Sequence, residues 1–404
     1  MKHFFFYMAV ICLAISCGLH EIGSVEENGN DEVWTGPPLV QDGPSAPVKS
    51  RWYMVGVDYR DGYDWRADSE KGTVKCSLVV YSDGVPVMKI PVGDSYHVSS
   101  DPDMHRMVDG HLYTDYSTEC ETVIKKDGVE ILRYPGCEAV RSIIPVSEGI
   151  YTLGQSRTED RFYLRLDGNV VFEKSGCRII RPLMMDGNTL CFSFSEPVAS
   201  SSGTIERYYN VRDGKSVQVA LRDDVVKVWD ILNHNGETVY VASLTGIRAP
   251  VIIRGDGMQA MDMHISSKML TCRLFPIGES YGVQGVFMYG DRYQYSAIWI
   301  GSSMYKAFDT GRMIASMETV EGSISCSVNP IDRSGSGIIF HDGEEYPMPA
   351  GYLSMGSRSL AVVNGILYAG LSSTTGGKPL LWKDSVTDTL DMNGYITEIH
   401  VVSQ

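Results

Sequence analysis

Asn364-Gly365-Ile366-Leu367-Tyr368-Ala369-Gly370, followed after a loop by Leu380-Leu381-Trp382-Lys383-Asp384-Ser385, holds one cycle of a pattern that runs through the chain. A glycine turn leads into a strand that begins with large residues and ends on small ones. A third strand then runs into a second tight turn. That second turn recurs as Asp83-Gly84, Asp127-Gly128, Asp167-Gly168, Asp213-Gly214, Asp256-Gly257, Ile300-Gly301, Asp342-Gly343 and Asp384-Ser385, at spacings of 44, 40, 46, 43, 44, 42 and 42. A fixed period of this length, with no helical pattern between the turns, predicts an all-β chain folded as a β-propeller with one four-stranded blade per repeat.

Turn chemistry supports the reading, because two-residue hairpins follow strand twist only where the central residues tolerate positive φ. The turns between first and second strands read Asp109-Gly110, Glu148-Gly149, Asp186-Gly187, Asn235-Gly236, Ile277-Gly278, Glu321-Gly322 and Asn364-Gly365. That makes seven turns against eight in the other series. No first strand precedes Trp52, while the chain finishes with an apolar strand, Ile396 to Val402. The simplest solution is an eight-bladed propeller in which the C-terminal strand is innermost in blade one, removing open sheet edges. The alternative is seven blades with the first unit outside the ring.

At 404 residues, 43% apolar and 21% charged, the chain can fill one closed repeat array and is no disordered segment. A net charge of −15 with no Lys or Arg run argues against nucleic acid as a partner. Lys2, the apolar run Phe4 to Ile15 and Ser16-Cys17 read as an export signal too short to span a bilayer. Leu13-Ala14-Ile15-Ser16-Cys17 resembles the lipobox of bacterial lipoproteins, with Ala14 where Leu is commoner; the resemblance implies cleavage before Cys17 and a lipid anchor on it. Residues 17–50 carry scattered acids and Pro37, Pro38, Pro44 and Pro47, the composition of a tether. The expected organisation is therefore a signal peptide over 1–16, a tether over 17–50 and the propeller over 51–404. Cys76, Cys120, Cys137, Cys177, Cys191, Cys272 and Cys326 form no zinc spacing, and their odd number excludes complete pairing. Buried thiols are expected.

In a four-stranded meander the first-to-second and third-to-fourth turns share one end, and here nearly all are tight. The other connections lie at the opposite end and vary in length, the place where binding usually sits. The most unusual is Asp58-Tyr59-Arg60-Asp61-Gly62-Tyr63-Asp64-Trp65-Arg66-Ala67-Asp68-Ser69-Glu70. Tyr59, Tyr63 and Trp65 offer rings that stack on sugars, while Asp61 and Asp64 accept hydrogen bonds from hydroxyls. Tyr289, Asp291 and Tyr293 form a second such loop. The competing reading is that these rings pin long loops onto neighbouring blades. The aspartates depart from the EF-hand spacing, so no metal is expected, and no motif requires a cofactor. HExxH is missing and no phosphate-cradling glycine loop precedes a helix, which leaves room for catalysis by carboxylates meeting from two blades at a central channel. Val228-Trp229-Asp230 contains the WD dipeptide but lies on a first strand and does not recur.

The unit from Asn364 to Asp384 resembles those of exported propeller lipoproteins of Bacteroidota, with the unit from Asn235 matching less closely. Acids soon after Cys17 also resemble the surface-export signal of that group. The resemblance implies fold and placement at the bacterial cell envelope, as an outer membrane lipoprotein on either face, and transfers no catalytic residue. The expected role is a monomeric binding platform for a glycan or an envelope protein, against a polysaccharide hydrolase or lyase, or a structural subunit of an envelope complex.

Overall fold

A computed structural model of the protein describes residues 51–402 apart from 60–75, 93–104, 118–119, 201–202, 220, 222–223, 248, 264–266, 290–292, 321 and 334. The expected signal peptide and tether, with Cys17, lie outside the described residues. Within them the chain is all-β, with no helix.

Strands pair as antiparallel meanders of four. Unit one combines Arg51–Tyr59, Cys76–Ser82 and Val85–Val92 with the final strand Gly394–Val402, which pairs with Arg51–Tyr59 from Arg51↔Val402 to Asp58↔Gly394. Units two to five run over 105–135, 138–175, 178–218 and 225–260. Units six, seven and eight run over 267–307, 312–347 and 360–389; a single parallel bridge, Tyr295↔Arg312, joins six to seven, and Tyr352–Leu353 adds to unit eight.

Alternation makes each sheet apolar on both faces, so each unit needs a neighbour on either side. Eight apolar clusters among the described residues meet that need, each shared by two consecutive units. Trp52 and Met54 of unit one pack on Tyr368 and Leu381 of unit eight, and Val55 and Val57 on Met107 and Leu112 of unit two. Units six and seven share Phe275, Ile298, Cys326 and Phe340. Each large side chain buried in this way contributes about 1.5–3 kcal/mol.

The small residues ending the second strands have a steric cause. A Cβ on Gly154 would sit 2.4 Å from Glu138 Oε2, and one on Gly370 2.4 Å from Ile396 Cγ2, so both glycines make room for a side chain of an adjoining strand.

The turns resolve into two kinds. Asp83-Gly84, Asp109-Gly110, Asp127-Gly128, Asp167-Gly168, Asp213-Gly214, Asn235-Gly236, Asp342-Gly343 and Asn364-Gly365 have positive φ at both residues, as does Asp384-Ser385. Four turns expected from the sequence shift by one residue: the central pairs are Gly187-Asn188, Gly255-Asp256, Gly278-Glu279 and Gly301-Ser302. There Gly takes the first central position, the one that needs positive φ in a II′ hairpin. One turn belongs to neither kind: Ser147-Glu148 replaces Glu148-Gly149, without positive φ at either central residue.

Aspartate recurs in the third-to-fourth turns for a second reason. Oδ1 of Asp83, Asp127, Asp167, Asp213 and Asp384 accepts the backbone N–H of Trp52, Leu112, Ile150, Leu190 and Leu367, over 2.9–3.2 Å. Each of these aspartates also donates its own N–H to the carbonyl of that same residue. The turn is thereby clamped to the second strand, each bond contributing about 1 kcal/mol.

First strands of units two to eight, and then Gly394–Val402, touch in succession. Six of them shift register at a bulge: those of units one, three, four, five, six and seven. In each of them a polar residue follows a shift: Glu398, Ser142, Arg181, Asp230, Thr271 or Ser316, and all but Thr271 are buried; a second shift in unit four is followed by Met184. Two of these hold the next unit, since Ser142 Oγ accepts from Leu183 N at 3.1 Å and Asp230 Oδ2 from Leu274 N at 2.7 Å. Arg181 extends the second contact, donating to Asp230 Oδ2, to Ile231 O at 3.1 Å and to Leu274 O at 2.7 Å. One buried ion pair thus ties units four, five and six, and the dipeptide Trp229-Asp230 is part of that tie.

Candidate functional site

Asp61, Tyr63, Asp64, Trp65 and Asp291 lie outside the described residues. Tyr289 and Tyr293 face each other as the last backbone pair of a unit-six hairpin. Tyr59 corrects the expectation of a ring offered to a ligand: it ends its strand 4% exposed, packed with Cys76, Leu78 and Met107. Alternation explains this, because Val55, Val57 and Tyr59 point towards unit two, whereas Trp52, Met54 and Asp58 belong to the face towards unit eight. The second strands Arg51–Tyr59 and Ser280–Tyr289 end on the same side of their units, separated along the packing order by units seven and eight.

Asp58, next to the end of its strand, lines a cleft of about 560 Å³ between units one and eight that reaches Gly84 and Pro86 at the opposite end. Its Oδ1 accepts from Asn393 N at 2.8 Å, and its Oδ2 from Lys89 Nζ at 2.7 Å. Across the cleft stands Asp391, paired with Lys378. Tyr81, 3% exposed, forms part of the wall, and burial, reinforced by Asp58 and Asp391, pushes its hydroxyl above the ordinary tyrosine range. Val79, Met88 and Leu390 make the wall otherwise apolar. An apolar groove edged by carboxylates and ammonium groups suits a polyhydroxylated ligand. Sequence reasoning reached Asp58 only as the first residue of its loop; Asp391 is 333 residues away and carried no signal.

A second polar group gathers where first strands of units seven, eight, one and two adjoin. Arg358 Nη1 stands 3.7 Å from Glu398 Oε1, and the two residues form a parallel backbone bridge. Burial pushes the Glu318 carboxyl up to about 7, against the pull of Arg358. Burial, Arg106 and Arg358 hold the His400 imidazole below its ordinary range. Alternation of Glu398 and His400 within an apolar terminal strand was the available signal. Among the described residues no group of three or more His, Cys, Asp or Glu could hold a metal ion.

Meanders of four strands packed face to face in chain order define the β-propeller class. A scan against protein-family models finds no match, and a search of the curated proteins finds none either. Among solved structures, dihydro-heme d1 dehydrogenase NirN in complex with DHE is similar at a TM-score of 0.54 and 10% identity, over 91% of this chain and 78% of that one. The β-propeller domain of the Trilobed protease from Pyrococcus furiosus, which has an open velcro topology, gives 0.42 and 11% over 68% and 86%. Likeness at such identity concerns the fold alone: the chain is built on a β-propeller scaffold.

Proposed function

We propose that the protein is an eight-bladed propeller closed by Gly394–Val402, anchored at the cell envelope by lipid on Cys17, and that its loop end binds a glycan or an envelope protein. Closure is supported by the eight inter-unit clusters, one of which joins unit eight to unit one. The binding reading rests on the contrast between the two ends, tight turns at one and longer connections at the other; the cleft beside Asp58 runs between units one and eight as far as Gly84 and Pro86. Of the two partners, the glycan fits the loop chemistry better, since rings and carboxylates match the faces and hydroxyls of sugars. Replacing Tyr63 and Trp65 by Ala is expected to abolish capture on a carbohydrate array with the fold retained. An array blank for the unmodified protein would contradict the glycan reading and leave the protein partner.

Glu318 supports a second reading, a hydrolase or lyase acting on polysaccharide. It and Glu398 are carboxylates from two blades around one arginine, and a carboxyl titrating near 7 can deliver a proton at neutral pH. On this reading Glu318→Gln stops product release from an envelope polysaccharide. The substitution has a separate effect on stability. Because the folded-state value is raised, the contribution of Glu318 is complete below about pH 4 and is lost as pH rises through about 7, by roughly 3 kcal/mol. The glutamine variant should therefore gain on the parent protein in thermal melts between pH 5 and 8; a constant difference would show that the carboxyl is not buried.

A further inference from the structure

Burial pushes up the thiols of Cys76, Cys177, Cys191, Cys272 and Cys326, which leaves them largely protonated and slow to react at neutral pH. Cys120 is exposed and Cys137 half-buried, and the two stand at one end of the same hairpin in unit two. Cys120 precedes the strand Glu121–Lys126, and Cys137 follows its partner Val129–Pro135. Gly136 N donates to Cys120 O at 2.9 Å, which extends the ladder by one pair beyond Glu121↔Pro135. Directly opposed residues in such a hydrogen-bonded pair have Cα atoms about 5.5 Å apart.

A strand continuing past Gly136 would point Cys137 away from the face that carries Cys120. The chain turns instead, with φ +105 at Gly136. Thr122 Oγ1 donates to Gly136 O at 2.8 Å and accepts from Glu138 N at 3.1 Å, so the peptides on both sides of Cys137 curl over the Thr122 side chain. Thr122 and Cys120, two residues apart on one strand, share that face. The bend therefore turns the chain at Cys137 back beside the end of the strand that carries Cys120, and a clasp between them requires the Cα separation of about 4.4–6.8 Å that a disulfide spans.

We propose that Cys120 and Cys137 are a reversible dithiol clasp on the loop end. The oxidant is a disulfide, either of low molecular weight or in an exported oxidoreductase. One cysteine thiolate attacks a sulfur of that disulfide and releases its other half as a thiol. The second cysteine thiolate then attacks the mixed disulfide at the protein sulfur and releases the remaining half. Two protons leave the protein and two electrons pass to the oxidant, which ends as two thiols. The closed clasp holds more than its own hairpin, because Cys137 O accepts the N–H of Arg157, in the second-to-third connection of unit three, at 2.9 Å. Oxidation thus fixes two adjacent connections at the end proposed to bind.

The test is incubation of the folded full chain with oxidised glutathione, followed by alkylation, trypsin and mass spectrometry. The expected result is one cross-linked pair of peptides containing Cys120 and Cys137, reversed by dithiothreitol, with the melting temperature about 5 °C higher in the oxidised form. Cys137→Ser should instead carry glutathione on Cys120. A stable glutathione adduct on Cys120 of the unmodified chain without the cross-link, or both thiols left reduced, overturns the proposal.

Discussion

Truncation after Asn393 is expected to abolish cooperative thermal unfolding. The removed strand supplies Ile396 and Ile399 to the cluster between units eight and one, and core losses of that type cost about 2–5 kcal/mol per residue. It also supplies the backbone partners of Arg51 to Asp58 on one edge of the strand Arg51–Tyr59, along with the Arg358 contact of Glu398. An exposed strand edge with an apolar face is a template for association, so the truncated chain should aggregate as it melts. Calorimetry checks this. A sharp, reversible transition at the parent temperature would mean that the ring does not depend on its last strand.

Asp230→Ala is expected to cost about 3–5 kcal/mol, because it strands Arg181 as a buried charge and leaves the N–H groups of Leu274 and Ile231 without their carboxylate. The melting temperature should fall by about 5–10 °C. Replacing both partners, Arg181→Met with Asp230→Leu, should recover much of the loss, since an apolar pair removes the unpaired charge. If the single substitution proves neutral, the tie between units four, five and six contributes no stability.

What could be read from the sequence divides along physical lines. The repeat was legible because hairpin turns demand positive φ, and Asp-Gly and Asn-Gly declare it. The frame of the Gly187, Gly255, Gly278 and Gly301 turns was not, since glycine serves equally as the second residue of one hairpin type and the first of another. The polar residues after the bulges were hidden for a related reason. A bulge breaks the period of two, so Asp230 and Glu398 looked like interruptions of apolar strands instead of members of one recurring position. The dipeptide Trp229-Asp230 carried meaning, though not that of a WD repeat. At the candidate site the loop was visible in composition, but the inward turn of Tyr59 and the meeting of Asp58 with Asp391 depend on how unit one packs against unit eight.

These features give the protein a stiff frame and an uneven pair of ends. Clamped aspartate turns close one end, while the other carries the longer connections with Cys120 and Cys137. The central claim is that a partner docks on the second end. Hydrogen–deuterium exchange of the full chain, with and without the glycan captured on the array, tests it most directly. Protection is predicted over 58–76 and 289–293, with the turns at Asp83-Gly84, Asp127-Gly128 and Asp167-Gly168 unchanged. Protection confined to those turns would contradict it.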